Sequence, residues 1–282
     1  MLQADLHIHT TASDGVFTPS KVVLRAKQKG VQLLAITDHD TVEGLTEACD
    51  CAQAQGIQLI PGVELSAGGQ AEVHVLGYGV SAKNARLCKF LSDMQNERLH
   101  RAATILEHLK KLNMPLNMDE ITDETNSALG RPLIARAMVN RGYVHSVQQA
   151  FDQYLNQGRP AYVARKKLDV ADAVTLLKEV GAVPVLAHPS LIRMAAADLK
   201  NAVHDWLDAG LMGVEIYHPA MTQYDRMYWL SFARKHDLLV TGGSDFHAIG
   251  DKHADIGDMT PLWNNCSEDA EKLLSAVSEA KN

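Results

Sequence analysis

Strand-like and helix-like segments alternate along most of this chain, and this alternation constrains the fold more than any other feature. Apolar runs of strand length predict seven strands, at residues 4–9, 31–37, 57–63, 72–79, 182–188, 212–217 and 238–243. Helical spacing of apolar residues lies between most of them, for example at 19–29, 42–55, 170–180 and 223–236. A glycine that suits the left-handed end of a helix precedes four of the strands, namely Gly30, Gly56, Gly181 and Gly210. Such regular alternation predicts parallel β/α units.

Two departures from the alternation define the rest of the architecture. Only residues 64–71 separate the third and fourth strands, which is too short for a helical crossover, so these strands are predicted to form an antiparallel hairpin. After the fourth strand, helical patterns at 86–112, 131–141 and 147–157 follow without a convincing strand. We therefore predict a helical cap domain at 82–164, inserted into a β/α domain made of 1–81 and 165–282.

Six histidines and three carboxylates lie in or just after the predicted strands, most of them where a strand ends. In parallel barrels the carboxyl ends of the strands form the active-site rim. His74 comes early in its strand, but an antiparallel fourth strand would bring it beside Glu64. Alone, each of these residues has a structural interpretation, and Asp14 in a Ser-Asp-Gly sequence is typical of a turn. Together they predict metal binding, because buried charges that converge are costly without a cation. The nine candidate metal ligands are His7, His9, Asp14, His39, Glu64, His74, His188, Asp245 and His247.

The composition of this set points to several transition-metal ions. Imidazoles mixed with carboxylates suit zinc, manganese or iron better than calcium or magnesium, and nine ligands are too many for one ion. Three dications against three carboxylates leave a positive pocket, which attracts phosphate although the chain carries a net charge of −7. That acidic balance argues against a long nucleic-acid surface but not against a short oligonucleotide. Clustered metals also acidify water and hold both ends of an in-line displacement, so phosphoester hydrolysis is predicted.

Motifs spread over the whole chain resemble those of the PHP (polymerase and histidinol phosphatase) family. They are Asp5-Leu-His7-Ile-His9, Ile36-Thr-Asp-His39, Pro61-Gly-Val-Glu64, Leu186-Ala-His188-Pro and Gly242-Gly-Ser-Asp245-Phe-His247. The resemblance implies a distorted seven-stranded (β/α)7 barrel with a trinuclear metal centre. Carried over motif by motif, it assigns one metal to His7, His9, Glu64 and Asp245. A second metal would also be bound by Glu64, which bridges the two ions, and by His74 and His188. A third metal would take Asp14, His39 and His247. Asp14 stands where some members have histidine, which bears on the metal preferred there.

The inserted segment narrows the resemblance to one branch. Gly130-Arg131-Pro132, Gly142-Tyr143-Val144 and Pro160-Ala161-Tyr162-Val163 resemble the branch that contains 3′,5′-nucleoside bisphosphate phosphatases and 5′→3′ exoribonucleases of the ribonuclease AM type. The resemblance implies that a metal-activated hydroxide removes a 3′-phosphate, or cuts the first phosphodiester of short 5′-phosphorylated RNA. Arg131 and Arg136 are the candidates for gripping the 5′-phosphate, because guanidinium forks match phosphate geometry; either could instead be a surface charge.

Several alternatives stay open at this stage. The chain could be a histidinol-phosphatase-like phosphomonoesterase, or a non-catalytic metal-binding regulatory module, although all nine ligand positions match the motifs. We expect about three divalent ions per chain, manganese first, with iron and zinc as alternatives. Whether His218 contacts the site stays open. Asp38 and Asp40 could orient the metal ligands or could be turn residues. The oligomeric state and the general acid for the leaving group are not readable.

The cellular setting is also an expectation. No apolar run approaches the roughly 20 residues that span a bilayer, and no signal-peptide pattern precedes the first strand. The four cysteines, at positions 49, 51, 88 and 266, do not have zinc-ribbon spacing and are expected to be reduced. We therefore expect a cytoplasmic protein without a membrane partner.

Overall fold

Seven strands form the centre of the structure, a computed structural model that describes residues 2–68, 71–121, 130–164, 168–250, 253–263 and 265–281. They form one sheet in the order of the chain, from β1 to β7. The strands are β1 Ala4–Asp5, β2 Leu33–Ile36, β3 Gln58–Ala67, β4 Val73–Tyr78, β5 Val183–Leu186, β6 Gly213–Tyr217 and β7 Leu239–Gly242. All neighbouring strands pair in parallel except β4, which is antiparallel to both β3 and β5.

The two edges of the sheet meet and close a barrel. The Leu6 N–H donates to the Gly242 carbonyl at 3.1 Å, and the Asp245 N–H donates to the His7 carbonyl at 2.9 Å. Leu6 and Val214 are fully buried, and alternation along each strand places them on the opposite face of the sheet from His7 and Glu215. The seven-stranded α/β barrel is therefore confirmed, and its distortion comes from the one reversed strand.

The predicted hairpin between the third and fourth strands is confirmed, with one difference. Strand β3 continues to Ala67, because its pairing with β4 extends as far as Ser66 opposite His74 and Ala67 opposite Val73. Glu64 consequently lies within the strand instead of ending it. The hairpin hydrogen bonds carry β3 beyond the point where its parallel neighbour β2 stops.

Nine α-helices occur in the described residues, and most match the predicted helical segments. They are α1 Pro19–Gln28, α2 Leu45–Gln55, α3 Ala85–Lys111, α4 Arg131–Asn140, α5 Val147–Ala150, α6 Val170–Glu179, α7 Ala196–Ala209, α8 Gln223–Lys235 and α9 Cys266–Glu279. The predicted helix at 147–157 is partly wrong, since the α-helix stops at Ala150 and one π-helical turn, Phe151–Leu155, follows. Among the described residues, no helix has both the length and the apolarity needed to cross a membrane.

The chain divides into two compact units. One contains Met1–Cys88 and Lys167–Asn282, and the other contains Lys89–Lys166. The second unit has an apolar core of its own, in which Leu109, Met138 and Leu155 are fully buried. The domain boundaries predicted from the sequence, 81/82 and 164/165, stay a proposal. Residue 165 lies outside the described residues.

An ion pair fastens α1 to the segment that follows β7. Arg25 donates from Nε and Nη2 to the two carboxylate oxygens of Asp255 at 2.8 and 2.6 Å, and the Lys29 ammonium lies 2.8 Å from the same carboxylate. Partial burial opposes ionisation, but hydrogen bonds from Arg25 and Lys29 lower the pKa of Asp255 from 3.8 to about 2.

We predict that Asp255→Asn lowers the free energy of unfolding at pH 7 by about 1 kcal/mol, a value reduced by solvent screening. Because the folded pKa of Asp255 is depressed, its contribution is complete above pH 3.8 and is lost as the pH falls through about 2. Urea unfolding at a series of pH values measures this difference. The control is Asp258→Asn, which removes a more exposed carboxylate 3.3 Å from Lys29. An equal loss in both variants, or a loss independent of pH, would contradict the prediction.

Candidate metal centre

Strand β1 and the residues after it deliver the first two imidazoles. His7 and His9 are two residues apart in an extended segment, so their side chains lie on the same face, and both are fully buried. The segment is held on both sides, because the His9 N–H donates to the Phe246 carbonyl and the Thr37 N–H donates to the Ile8 carbonyl, each at 3.0 Å. The backbone therefore fixes both rings at the carboxyl rim of the barrel.

The Glu64 carboxylate lies at the centre of the cluster, fully buried. Its Oε2 atom is 3.1 Å from His7 Nε2, 3.2 Å from His9 Nε2 and 3.1 Å from His39 Nδ1. One carboxylate oxygen therefore faces three imidazole nitrogens that come from the ends of β1 and β2.

The other oxygen of Glu64 faces a different pair of imidazoles. Its Oε1 atom is 2.8 Å from His74 Nδ1 on β4 and 3.1 Å from His188 Nε2 after β5. The reversed direction of β4 places His74 at the rim, as the sequence predicted. Because its two oxygens point to separate sets of nitrogens, Glu64 has the geometry of a bridging carboxylate.

Asp245 closes the first ligand group. Its Oδ1 atom lies 3.4 Å from His7 Nε2 and 3.1 Å from His9 Nε2. One atom from each of His7, His9, Glu64 and Asp245 lies within 4.8 Å of the others, and all four residues are buried. Asp245 adopts a φ of 53°, and His188 a φ of 27°. Non-glycine residues rarely adopt such values, and their strain is typical of functional sites.

Asp14, which is exposed, gathers a second group at the outer side of the rim. Its Oδ1 atom lies 3.3 Å from His247 Nε2 and 3.7 Å from His9 Nδ1, and its Oδ2 atom lies 3.9 Å from His39 Nε2. The structure thus brings all nine predicted residues together. Five of them each take part in two of the groups with metal-ligand spacing, namely His9, His39, Glu64, Asp245 and His247.

Several ring nitrogens in this cluster form no hydrogen bond within the described residues and could instead coordinate a cation. Both ring nitrogens of His9, together with Nδ1 of His39 and of His188, are buried and have no hydrogen-bond partner in the part of the chain that the structure describes. Buried polar atoms without partners are costly. Divalent ions coordinated by these nitrogens and by the carboxylates would remove that cost, so the residues fit the predicted metals.

The charges of the cluster are strongly coupled. Burial opposes a positive charge on His9 and on His74. Asp245 and Glu64 outweigh burial at His9, and Glu64 outweighs it at His74, so the pKa of each ring is raised to about 10. Burial lowers the pKa of His39 to about 4, despite the nearby Glu64. Burial also opposes ionisation of Glu64, yet the surrounding histidines hold its pKa well below its usual value. Metal binding must displace protons from such ligands and therefore competes with acid.

Glu215 is a buried residue of the site that the sequence analysis missed. From the middle of β6 its Oε1 atom accepts a hydrogen bond from His7 Nδ1 at 3.0 Å, and its Oε2 atom accepts one from the His188 backbone N–H at 2.9 Å. The His7 bond directs Nε2 of that ring toward Glu64 and Asp245. A carboxylate in the apolar strand Gly213–Tyr217 was the signal that could have revealed it.

The structure places His218 beside the cluster as a partner of Asp245. Its Nδ1 accepts the N–H of Ala220 at 3.1 Å, so Nε2 carries the proton and donates to Asp245 Oδ2 at 3.2 Å. With both nitrogens so engaged, His218 orients the carboxylate. His253 is a second residue that the sequence analysis did not assign; its Nδ1 lies 3.1 Å from the same oxygen, and it forms a further group with Asp245 and His247.

The two aspartates around His39 hold loops in place. Asp38 accepts hydrogen bonds from the Thr10 N–H at 2.7 Å, from the Thr10 hydroxyl at 2.8 Å and from the Ser13 hydroxyl at 2.6 Å. Asp40 accepts one from the Ser66 N–H at 2.9 Å. These bonds tie the loop that carries His39 to its neighbours on both sides.

The two candidate arginines differ in their surroundings within the second unit. The Arg131 guanidinium lies over the rings of Phe151 and Tyr162, at 5.7 and 5.8 Å from their centroids, and donates from Nη1 to the Leu155 carbonyl at 3.1 Å. Arg136 is exposed on the same helix, α4. Five positions correspond to about 140° around a helix, so the two side chains leave α4 in different directions.

Comparison with known protein families finds a family model that matches this chain. The model described as "PHP domain" matches residues 5–209. This match includes seven of the nine candidate ligands and also the segment of the second compact unit.

Individual relatives cover nearly the whole chain. A 3′,5′-nucleoside bisphosphate phosphatase from Chromobacterium violaceum is 32% identical over 268 residues, which are 93% of this chain and 94% of the relative. A 5′-3′ exoribonuclease from Haemophilus influenzae is 33% identical over 267 residues, 92% of this chain and 97% of the relative. A crystal structure of a proposed metal-dependent phosphoesterase from Bifidobacterium adolescentis is similar at a TM-score of 0.76 and 28% identity, covering 98% of this chain and 96% of that one.

We predict that Glu215→Gln weakens binding of Mn²⁺ about 10- to 100-fold, as loss of a hydrogen-bond partner behind a metal ligand does. Glutamine has one acceptor oxygen, so it cannot serve both the His7 ring and the His188 N–H. Isothermal titration calorimetry at constant pH measures the change. Glu179→Gln, at an exposed carboxylate paired with Arg86, is the control and should bind as the parent does. Unchanged affinity in Glu215→Gln would show that Glu215 does not position His7.

Proposed function

This chain belongs to the PHP family, and we propose that it removes the 3′-phosphate from nucleoside 3′,5′-bisphosphates such as adenosine 3′,5′-bisphosphate. At the level of reaction class it is a metal-dependent hydrolase of phosphoester bonds. The observation that best supports the proposal is the position of Glu64, whose two oxygens face separate groups of imidazole nitrogens in a buried pocket.

We propose three divalent ions, with manganese first, held as the motifs imply. His7, His9, Glu64 and Asp245 would hold one of them. Glu64 would also reach a second ion with His74 and His188. The third would take the remaining ligands, which are Asp14, His39 and His247. When bound, the ions supply Lewis acidity and acidify water for attack on phosphorus.

The chain's own residues prepare this chemistry. Glu215 holds the His7 ring through Nδ1, and His218 holds Asp245 through Oδ2. The bond that forms joins a water oxygen to phosphorus, and the bond that breaks joins phosphorus to O3′. The products are a nucleoside 5′-phosphate and inorganic phosphate, and the leaving O3′ takes a proton.

Arg131 is the residue that we propose for the 5′-phosphate. Its guanidinium lies over two aromatic rings and uses one N–H on the Leu155 carbonyl. A guanidinium has five N–H donors, and one that is already oriented loses little entropy when it binds phosphate. Arg136 is the second candidate, and within the described residues no aromatic ring or carbonyl orients its guanidinium.

A second candidate function uses the same centre. The relative from Haemophilus influenzae is named a 5′-3′ exoribonuclease. Hydrolysis of the first phosphodiester of a short 5′-phosphorylated RNA requires the same attack on phosphorus and differs only in the leaving group. We therefore propose 5′→3′ cleavage of short RNA as the alternative or additional activity.

We predict that the manganese-loaded protein releases phosphate from adenosine 3′,5′-bisphosphate at least about 10-fold faster than from AMP or histidinol phosphate. AMP has a 5′-phosphate but no 3′-phosphate to remove, and histidinol phosphate has no second phosphate for a charge-assisted contact. Released phosphate is measured colorimetrically. Asp245→Ala is the control that should abolish turnover and metal uptake together. Preference for histidinol phosphate would overturn the assignment of substrate, and silence on every substrate and on short 5′-phosphorylated RNA would favour a non-catalytic metal-binding module.

We predict that Arg131→Ala raises KM for adenosine 3′,5′-bisphosphate about 10- to 100-fold, the effect of losing a hydrogen bond to a charged group. Turnover of 3′-AMP, which lacks the 5′-phosphate, should not change. Arg131→Lys tests the fork geometry and should recover only part of the affinity. Arg141→Ala, which removes an exposed partner of Glu120 in the same unit, is the control. Equal losses on both substrates would show that Arg131 does not contact the 5′-phosphate.

A further inference from the structure

Helix α8 presents a row of aromatic rings along one of its faces. Aromatic side chains occur at every fourth position, which places them on the same side of a helix. The row consists of Tyr224, Tyr228, Phe232 and His236. Ring centroids lie 6.5 Å apart for Tyr228 and Phe232 and 4.4 Å apart for Phe232 and His236, with interplanar angles of 23° and 31°.

The first two turns of this face are unusually exposed for apolar side chains. Tyr224 is 79% exposed, Met227 64% and Tyr228 46%. Contiguous apolar groups on a surface typically mark an interaction site. We call Tyr224 and Tyr228 of the row, together with the neighbouring Met227, the α8 aromatic face.

The α8 aromatic face begins six residues after His218, which contacts Asp245 of the metal centre. His218, which bonds to Asp245, precedes α8 by a short loop, and the Met221 N–H donates to the His218 carbonyl at 3.0 Å. Arg226 on α8 donates to the Met221 carbonyl at 2.7 Å. The loop after His188 adds a further exposed apolar residue, Leu191. The face therefore leads away from the rim that carries the candidate ligands.

The charge of α8 differs from that of the whole chain. The protein carries a net charge of −7, whereas α8 carries three cations, Arg226, Arg234 and Lys235, against one carboxylate. That carboxylate, Asp225, accepts hydrogen bonds from the Thr222 N–H and hydroxyl at the helix start. Of the three cations, Lys235 comes seven positions after Tyr228 and therefore lies on the same side of the helix. Exposed aromatic rings with a cation on the same side are a combination that binds single-stranded nucleic acid, in which bases stack on the rings and cations follow the phosphates.

We propose that the α8 aromatic face is a stacking platform for the bases of a single-stranded oligoribonucleotide whose 5′ end occupies the metal centre. The inference rests on the proposed RNA-cleaving activity. A strand cut near its 5′ end continues past the rim, and α8 offers it exposed rings and, further along the same side, the cation of Lys235. Three side chains on one helix are few for a stable contact between two protein copies, which buries roughly 1,200–2,000 Å².

The test compares two double variants with the parent protein. Tyr224→Leu with Tyr228→Leu keeps apolar bulk but removes the π-faces, whereas Tyr224→Phe with Tyr228→Phe keeps the rings. The probe is a 3′-labelled, 5′-phosphorylated hexaribonucleotide with phosphorothioate linkages, and anisotropy gives its Kd. We expect the leucine pair to raise Kd about 5- to 100-fold and the phenylalanine pair to change it less than about 2-fold, given the worth of base stacking. Turnover of adenosine 3′,5′-bisphosphate should be the same in all three.

Each outcome has a definite meaning. Equal Kd values for the three proteins, or no binding by the parent, would overturn the platform while bisphosphate turnover still supports the proposed phosphatase. A parent protein that does not cleave the same hexaribonucleotide with ordinary phosphodiester linkages would overturn the proposed RNA-cleaving activity separately. A leucine pair that lowers the mass in sedimentation without changing Kd would show that the face joins copies of this chain instead. The phenylalanine pair and circular dichroism identify misfolding, and Leu24→Ala, at an exposed apolar residue on α1, controls for general loss of surface apolarity.

Discussion

One buried carboxylate, Glu64, organises the site. Five imidazoles approach its two oxygens within 3.2 Å, and no water reaches the side chain. Such an arrangement is unfavourable unless positive charge compensates it, whether from protons on the rings or from metal ions. The barrel supplies these rings from the ends of four different strands. The closure of the barrel, the reversal of β4 and the burial of the rim can all be understood as requirements of this one group.

The reversed strand β4 shows how the fold serves the site. In an all-parallel barrel a residue near the start of a strand lies at the end opposite the active site. Because β4 runs antiparallel to β3, Ser66 pairs with His74, and the His74 ring reaches Glu64 Oε1. A helical crossover between β3 and β4 would have placed this histidine at the wrong end. The distortion of the barrel is therefore what adds an imidazole to the second oxygen of Glu64.

Features of the sequence that have a direct geometric meaning made part of the fold and of the site predictable. The spacing of His7 and His9, the short connection before β4 and the glycines before the strands each have a direct geometric meaning, and the structure has these features. Glu215 was missed because a single carboxylate in a strand gives no periodic signal. The role of His218 depends on which nitrogen meets the Ala220 N–H, and the π-helical turn at Phe151–Leu155 depends on packing. Such features follow from contacts between distant parts of the chain, which local spacing does not encode.

The same distinction separates the class of reaction from the choice of substrate. Metal-assisted hydrolysis demands ligands of only a few chemical types at fixed geometry, so its residues can be recognised together. In our proposals, substrate choice depends on residues such as Arg131, Tyr224 and Tyr228, whose types occur throughout proteins as ordinary surface residues. Their meaning comes from context: two rings that hold a guanidinium, or a row of rings that starts beside a metal rim. In these proposals a chain with a net negative charge binds phosphorylated substrates through local positive charge, which Arg131 and the bound metal ions would supply where a phosphate lies.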